Sequence, residues 1–244
     1  MKTLIKNYWN WRSASYNYDV NKSITIANTW ESILRELTPD STGKRALDIG
    51  TGTGDFAVYL ARLGCKVTGI DISEAMIHRA EQNPLAQQHT IDFRPGDAEE
   101  LLFDSETFDI VVSRNLLWTL PHPEKALKEW RRVLKPDGIL VISDGLWLNI
   151  TWKRLHHLVY KLLKGGGRNG SLASLRFFLT YAFIQNMLPF YEGLCFDKAR
   201  ILLQNARFNN IESYDASCFG MNPYAGKNYK NSCSPNFFIA YATR

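Results

Sequence analysis

Short apolar segments that alternate with helical segments constrain the fold of this chain more than any other feature of its sequence. The sequence predicts strands at 45–49, 66–70, 90–94, 108–113 and 139–143, near 210–217 and at 236–242, and helices at 55–62, from Ser73, at 124–133 and at 197–206. Short strands joined by helices form a parallel sheet with helices on both faces. We therefore predict an α/β fold with a doubly wound, mainly parallel sheet of seven strands.

Two segments fall outside this alternation. Residues 1–40 have helical character and crowded aromatic side chains, which predicts an N-terminal helical cap. Residues 146–192 place apolar side chains at the spacing of amphipathic helices on either side of a glycine-rich stretch. This pattern predicts a helical lid inserted after strand five, so that the sheet domain comprises 41–145 and 193–244.

The composition excludes several classes of protein. Of the 244 residues, 45% are hydrophobic and 22% are charged, as in globular proteins and unlike disordered or collagen-like chains. No run of about 18 apolar residues predicts a membrane-spanning helix, and the first residues lack the apolar core of a secretion signal. The four cysteines have no CxxC spacing, so neither a disulfide framework nor a zinc site is indicated and a cytoplasmic location is expected.

Positive charge is concentrated in the predicted lid. The net charge is +5, and residues 145–191 contain six lysines and arginines but no Asp or Glu. Such a segment predicts either peripheral contact with an anionic surface or a solvated helix face that only maintains solubility. No RNA- or DNA-binding module is recognisable, so a nucleic-acid partner is not expected.

The most specific local signal is a glycine-rich turn between the first predicted strand and its helix. It reads Asp48-Ile49-Gly50-Thr51-Gly52-Thr53-Gly54-Asp55. Glycines allow a sharp turn and the close approach of a ligand, and the following helix offers free N–H groups. Asp71 ends the second predicted strand, where a carboxylate can bind both hydroxyls of a ribose. Together these features predict a nucleoside site at the C-terminal edge of the sheet.

Two classes of cofactor fit this turn. From Gly52 onward, Gly-Thr-Gly-Asp-Phe-Ala matches the pattern G-x-G-x-x-G/A of nicotinamide-dependent oxidoreductases. From Asp48 onward, the turn is an acid followed by Gly-x-Gly-x-Gly. Carboxylates at Asp48 and Asp55 would repel a pyrophosphate but attract the ammonium and sulfonium groups of S-adenosyl-L-methionine. A third hypothesis is a protein that binds its cofactor without catalysis.

Five segments, taken in order, resemble the motifs of the class I S-adenosylmethionine-dependent methyltransferases. They are 46–54, 69–73, 96–98, 108–115 and 132–138. The resemblance covers 40–145 closely and 197–242 loosely, and it is to the small-molecule branch that includes the ubiquinone and menaquinone methyltransferases. It implies a Rossmann-like fold and an enzyme that moves a methyl group from S-adenosyl-L-methionine to a small-molecule acceptor by in-line displacement.

The resemblance also implies which residues bind the cofactor. They are Tyr8, Arg12, Tyr16, Asp48, Gly50, Thr51, Gly52, Gly54, Asp71, Ile72, Met76, Asp97, Ala98, Arg114, Asn115 and Trp118. Among them, Asp71 should hold the ribose, Asp97 should accept a hydrogen bond from the adenine amino group, and Ile72 should lie against the base. Asn115 should border the sulfonium, with Trp118 as its cover.

A catalytic base is not identified by these motifs. Methyl transfer from a sulfonium needs a base only when the nucleophile arrives protonated, and it requires no metal because the donor is already activated. The weak candidates for a base are His122, His156, His157 and Asp144. The aromatic and positively charged side chains of the predicted lid indicate an acceptor that is aromatic or anionic.

Overall fold

The computed structural model describes residues 1–14, 28–146, 180, 181, 184–216 and 237–244, together with the backbone of 20–27. The helices are α1 (Lys2–Ser13), α2 (Val20–Leu37), α3 (Asp55–Arg62), α4 (Glu74–Glu81), α5 (Pro123–Val133) and α6 (Phe196–Asn205). The strands are β1 (Arg45–Ile49), β2 (Lys66–Asp71), β3 (Ile91–Pro95), β4 (Phe108–Arg114), β5 (Leu134–Gly145), β6 (Asn209–Ser213) and β7 (Phe237–Thr243).

The seven strands form one sheet in the order β3-β2-β1-β4-β5-β7-β6. Strands β1 to β5 pair in parallel, whereas β7 is antiparallel to both of its neighbours, β5 and β6. The chain thus starts in the middle of the sheet, winds outward to β3 and then continues from β4 on the other side of β1. This arrangement confirms the predicted doubly wound, mainly parallel sheet of seven strands.

Both faces of the sheet are buried. Val111 of β4 packs in the apolar layer formed with α5 and α6, whereas its neighbours Ile110 and Val112 pack in the layer formed with α2 and α3. Successive side chains of a strand point to opposite faces, so a strand covered on both sides must be apolar along its whole length. With both faces covered, a ligand reaches the sheet only at its edge, where the loops emerge.

Strand β5 begins earlier than the sequence predicts. Pro136, Asp137 and Gly138 fall between the predicted helix 124–133 and the predicted strand 139–143, yet all three lie within β5. The pairing between β4 and β5 shifts register at this point, and Asp137 adopts a left-handed backbone with a φ of 62°. The bulge accommodates the three turn-forming residues, so that the strand continues on both sides of them.

Only part of the predicted lid is described, so the division of the chain into cap, sheet domain and lid stays a prediction. Across the described residues, no helix has both the length and the apolar character that crossing a bilayer requires.

Candidate cofactor-binding cleft

A cleft opens at the edge of the sheet where β1, β2 and β4 end. It encloses about 1110 Å³, including space that is open to solvent at its mouth. The loops after β1, β2, β3 and β4 line it, and Lys2, Ile5 and Trp9 of α1 contribute a further wall. The chain winds in opposite directions from β1 and β4, and open α/β sheets bind ligands at such a switch point.

Asp48 fixes the glycine-rich loop after β1. Its Oδ2 accepts hydrogen bonds from Thr51 Oγ1 at 2.7 Å and from the Ala57 N–H at 3.1 Å, so one oxygen holds both the loop and the first turns of α3. The side chain is buried, and this burial raises the pKa of Asp48 to about 7. A cationic group in the cleft would favour the ionised form of this carboxyl group.

The three glycines of the loop all have positive φ, but they serve different purposes. A Cβ at Gly52 would have only the Gly50 carbonyl oxygen within reach, at 4.0 Å, so the backbone here faces open space in the cleft. A Cβ at Gly54 would instead lie 2.9 Å from Phe93 Cζ and 3.2 Å from Ala80 Cβ. Gly54 therefore allows α3 to pack against β3 and α4 and does not line the cleft.

Asp71 ends β2 and faces the same loop. Its Oδ2 accepts a hydrogen bond from the Gly52 N–H at 3.1 Å, and its Oδ1 accepts one from the Ser73 N–H at 2.8 Å. Each oxygen retains a second lone pair for a ligand. Burial raises the pKa of Asp71 to about 6, which leaves the carboxylate largely ionised at neutral pH. This arrangement suits a carboxylate that accepts hydrogen bonds from the two hydroxyls of a ribose.

An ion-pair cluster closes the end of the cleft beside β3. Lys2 Nζ lies 2.6 Å from Asp97 Oδ2 and 2.7 Å from Glu99 Oε2. Glu99 is fully buried, and its Oε1 accepts a hydrogen bond from the His122 N–H at 2.7 Å. Asp97 was predicted to bind the cofactor, whereas Lys2 and Glu99 were not predicted from the sequence. No sequence pattern links Lys2 to an acid 95 residues away.

The tip of β4 forms the opposite end. The Arg114 guanidinium lies over the Phe56 ring, 4.7 Å from its centroid, and 3.3 Å from Asp55 Oδ2. Asn115 has a left-handed backbone with a φ of 58°, and its N–H donates a hydrogen bond to the Ser143 carbonyl at 2.8 Å. Both Arg114 and Asn115 line the cleft, as do Thr51, Ile72, Met76 and Ala98 among the residues predicted from the sequence.

Other predicted residues lie away from the cleft lining. Trp118 and Tyr8 pack against Tyr181, with ring centroids at 5.7 and 5.2 Å, in an aromatic cluster behind α1. Asp144 is buried at the end of β5, where its Oδ1 accepts a hydrogen bond from the Gly145 N–H. The predicted residues that do not line the cleft are Tyr8, Arg12, Gly54, Trp118, His122 and Asp144. Tyr16, His156 and His157 fall outside the described residues.

Several residues that line the cleft were not predicted. They include Lys2, Ile5, Trp9, Phe56, Glu99, Leu116, Thr119, Leu120 and Pro121. The last four follow β4, so their position after a predicted strand was a usable signal, whereas the contribution of α1 depends on tertiary packing. In the part of the chain that the structure describes, no three His, Cys, Asp or Glu side chains are grouped so that they could hold a metal ion.

Part of this chain is similar in sequence to known proteins. Residues 47–142 match a family described as a methyltransferase domain. A ubiquinone biosynthesis O-methyltransferase from Coxiella burnetii is 38% identical over 101 residues, which cover 41% of this chain and 43% of that protein. A demethylmenaquinone methyltransferase from Clavibacter sepedonicus is 34% identical over 130 residues, which cover 52% and 53%. The matched segments thus span about half the length of these relatives.

Solved structures share the fold over most of the chain. A methyltransferase from Thermotoga maritima, described as a possible histamine N-methyltransferase, has 19% identity and a TM-score of 0.59 and covers 97% of this chain and 98% of its own. Phosphoethanolamine N-methyltransferase 2 from Haemonchus contortus, solved with S-adenosyl-L-methionine, has 20% identity and a TM-score of 0.60 and covers 89% and 52%. The match to a methyltransferase domain is thus limited to residues 47–142, whereas the solved structures show that the fold of methyltransferases extends over most of the chain.

Proposed function

We propose that this protein transfers the methyl group of S-adenosyl-L-methionine to a small-molecule acceptor. The observation that carries the proposal is the pair of carboxylates on either side of the open loop at Gly52. Asp71 is bonded to the loop from β2, and Asp48 supports it from the end of β1. S-adenosyl-L-methionine would fit this arrangement with its ribose at Asp71 and its amino-acid group above the loop. Two polar parts of the donor would then lie next to protein groups that can bind them.

The acidic lining argues against a dinucleotide. Asp55 and Asp71 line the cleft, and their negative charges would repel a pyrophosphate at the loop. The relatives described above are methyltransferases, and they give no support to a nicotinamide-dependent oxidoreductase or to a non-catalytic protein.

The chain's contribution to catalysis in this proposal is positioning. Bound S-adenosyl-L-methionine supplies a methyl group on a positively charged sulfur, which makes it an activated donor. The protein holds donor and acceptor in line and keeps water out, and apolar side chains at Ile72, Met76 and Leu116 line the cleft for this purpose. His122 and Asp144 lie outside the lining, so we assign neither of them as a base.

We further propose that the acceptor is aromatic. Trp9 lines the cleft, and Tyr8, Trp118 and Tyr181 form an aromatic cluster beside it. Aromatic rings pack well against one another in such surroundings. The relatives are named for ubiquinone biosynthesis and for demethylmenaquinone, which agrees with a ring-containing acceptor. An anionic acceptor, peripheral contact with an anionic surface and a cytoplasmic location stay predictions from the sequence.

Ligand titration tests the proposed cofactor. We expect S-adenosylhomocysteine to bind the purified protein in isothermal titration calorimetry with a micromolar Kd. NADH and NADPH should give no measurable heat at the same concentrations, because their pyrophosphate meets the carboxylates of the cleft. Binding of a nicotinamide cofactor without binding of S-adenosylhomocysteine would overturn the proposal.

Replacement of Asp71 tests the ribose site. In Asp71→Ala, we expect the Kd for S-adenosylhomocysteine to rise about 10- to 100-fold, since a buried hydrogen bond to a charged group contributes roughly 1.5–3 kcal/mol. Asp92→Ala is the matched control, because Asp92 lies on the neighbouring strand β3, pairs with the exposed Arg94 and does not line the cleft. An unchanged Kd in Asp71→Ala would refute the role assigned to this carboxylate.

A further inference from the structure

Lys2 connects the N-terminal helix to the end of the cleft beside β3. Its ammonium lies within ion-pair distance of both Asp97 and Glu99, and Lys2 itself lines the cleft. Burial alone would lower the pKa of Lys2, but its hydrogen bonds to the two carboxylates raise it, so the side chain remains charged. An ammonium group has three N–H donors; Lys2 donates one to Asp97 Oδ2, and its ion pair with Glu99 occupies at most one more. One donor is therefore left for a ligand.

Asp97 is held in a fixed orientation next to this ammonium. Its Oδ1 accepts a hydrogen bond from the Glu99 N–H at 2.9 Å, and its Oδ2 lies 2.6 Å from Lys2 Nζ. A hydrogen-bond acceptor and a hydrogen-bond donor thus stand side by side at the wall of the cleft. Such a pair is complementary to any planar group that offers a donor and an acceptor along one edge.

The order of the strands places this pair on the other side of Asp71 from the glycine-rich loop. Asp71 ends β2, the glycine-rich loop follows β1 on one side of it, and Asp97 follows β3 on the other side. Neighbouring strands are about 4.8 Å apart. A ribose at Asp71 whose 5′ substituent extends over the loop would direct its base towards β3, where Lys2 and Asp97 lie.

The family resemblance implies that Asp97 binds the amino group of adenine, and we propose that Lys2 adds recognition of N7 on the same edge of the base. Lys2 donates a hydrogen bond to N7, and Asp97 accepts one from the amino group. Asparagine and glutamine recognise the same edge of adenine with the acceptor and donor of a single amide. Here the two functions come from two residues on separate elements. This inference rests on the proposed function, because it assumes an adenosyl cofactor in the cleft.

A consequence of this arrangement is that docking of α1 and binding of the cofactor favour each other. At the far end of α1, Asn10 Oδ1 accepts hydrogen bonds from Ser73 Oγ at 2.7 Å and from the Ala75 N–H at 3.3 Å. Ser73 is the residue whose N–H binds Asp71. Helix α1 therefore contacts Asp97, which is assigned to the base, and Ser73, which holds the Asp71 carboxylate assigned to the ribose.

The test compares two ligands that differ only at N7. S-Tubercidinylhomocysteine is S-adenosylhomocysteine with a C–H group in place of N7. We expect the unaltered protein to bind S-adenosylhomocysteine about tenfold more tightly than this analogue, and Lys2→Met to bind the two equally. Lys2→Met should lower the affinity for S-adenosylhomocysteine and leave the affinity for the analogue nearly unchanged. Lys2→Arg should retain most of the preference for S-adenosylhomocysteine, because it keeps a charged donor.

Lys6→Met serves as the matched control, because Lys6 lies one turn farther along α1 and pairs with the exposed Glu74 outside the cleft. It should show the tenfold preference of the unaltered protein. The ratio of two Kd values in one protein does not depend on the fraction that is folded. Equal weakening of both ligands in Lys2→Met, or no preference in the unaltered protein, would overturn the role of Lys2 and leave the proposed function intact. Failure of both ligands to bind the unaltered protein would overturn both.

Discussion

Replacing Asp48 with asparagine is expected to raise the free energy of unfolding at pH 8 by about 2–4 kcal/mol. Burial raises the pKa of this carboxyl group from 3.8 to about 7, so the folded protein binds its proton more tightly than the unfolded chain does. Each pKa unit corresponds to about 1.4 kcal/mol, so ionised Asp48 opposes folding by on the order of 4 kcal/mol above pH 7. Asparagine has no charge to bury.

The hydrogen bonds of Asp48 make this replacement unusually favourable. Both bonds from Thr51 and Ala57 go to the same oxygen, Oδ2, so the amide oxygen of asparagine can accept both. Asp71→Asn is the contrasting variant, because each oxygen of Asp71 accepts one N–H and an amide must give up one of these bonds. We expect a smaller gain, or none, in Asp71→Asn.

Urea unfolding at two pH values checks this prediction. The folded-state pKa of Asp48 lies above its unfolded value, so its destabilising effect grows as the pH rises from about 4 to about 7 and is complete above that range. The gain in Asp48→Asn should accordingly be largest at pH 8 and much smaller at pH 5, while S-adenosylhomocysteine binds the variant more weakly. A gain that is absent at pH 8, or larger at pH 5, would contradict the burial argument.

Trp130→Ala is expected to lower the free energy of unfolding by about 3–5 kcal/mol, the usual range for removing a large aromatic side chain from a core. Trp130 of α5 is fully buried in the apolar layer between the sheet and the pair α5 and α6. Its indole N–H donates a hydrogen bond of 2.9 Å to the carbonyl of Ala98, a residue of the cleft lining. The same side chain therefore supports the core and the loop after β3.

Trp130→Phe separates these two contributions. The phenyl ring keeps most of the apolar contacts but leaves the Ala98 carbonyl without its donor, so we expect a loss of about 1–3 kcal/mol. Urea unfolding of both variants at pH 7 gives the comparison. A loss below about 1 kcal/mol in Trp130→Ala would show that the core does not depend on this side chain.

The sheet was largely predictable from the sequence because its signals are local. Strand three, predicted at 90–94, is β3 (Ile91–Pro95), and helix 124–133 is α5 (Pro123–Val133). The apolar runs and turn residues that indicate a strand or helix lie within that element or directly beside it in the sequence. The bulge in β5 was not predictable in this way, because it depends on how β4 pairs with it.

The cleft was predictable only where its residues follow a strand. Asp71 and Asn115 line it because each lies at or just beyond the end of a parallel strand, and such ends meet at one edge. Gly54 shows the limit of that reasoning: its proximity to Phe93, and not its place in the glycine-rich motif, decides what it contacts. Lys2 and Glu99 join the cleft through a long-range ion pair, which no local pattern in the sequence encodes.

The order of the strands also has a consequence for the growing polypeptide. Among the residues that the structure describes, the outer side of β5 pairs with β7, from Ile139 opposite Thr243 to Gly145 opposite Phe237, and these two strands lie far apart in the chain. During synthesis on the ribosome, one row of backbone hydrogen-bonding groups on β5 therefore stays unpaired until β7 emerges. Unmatched strand edges invite association with other chains. The nascent protein is consequently exposed to aggregation between the emergence of β5 and that of β7.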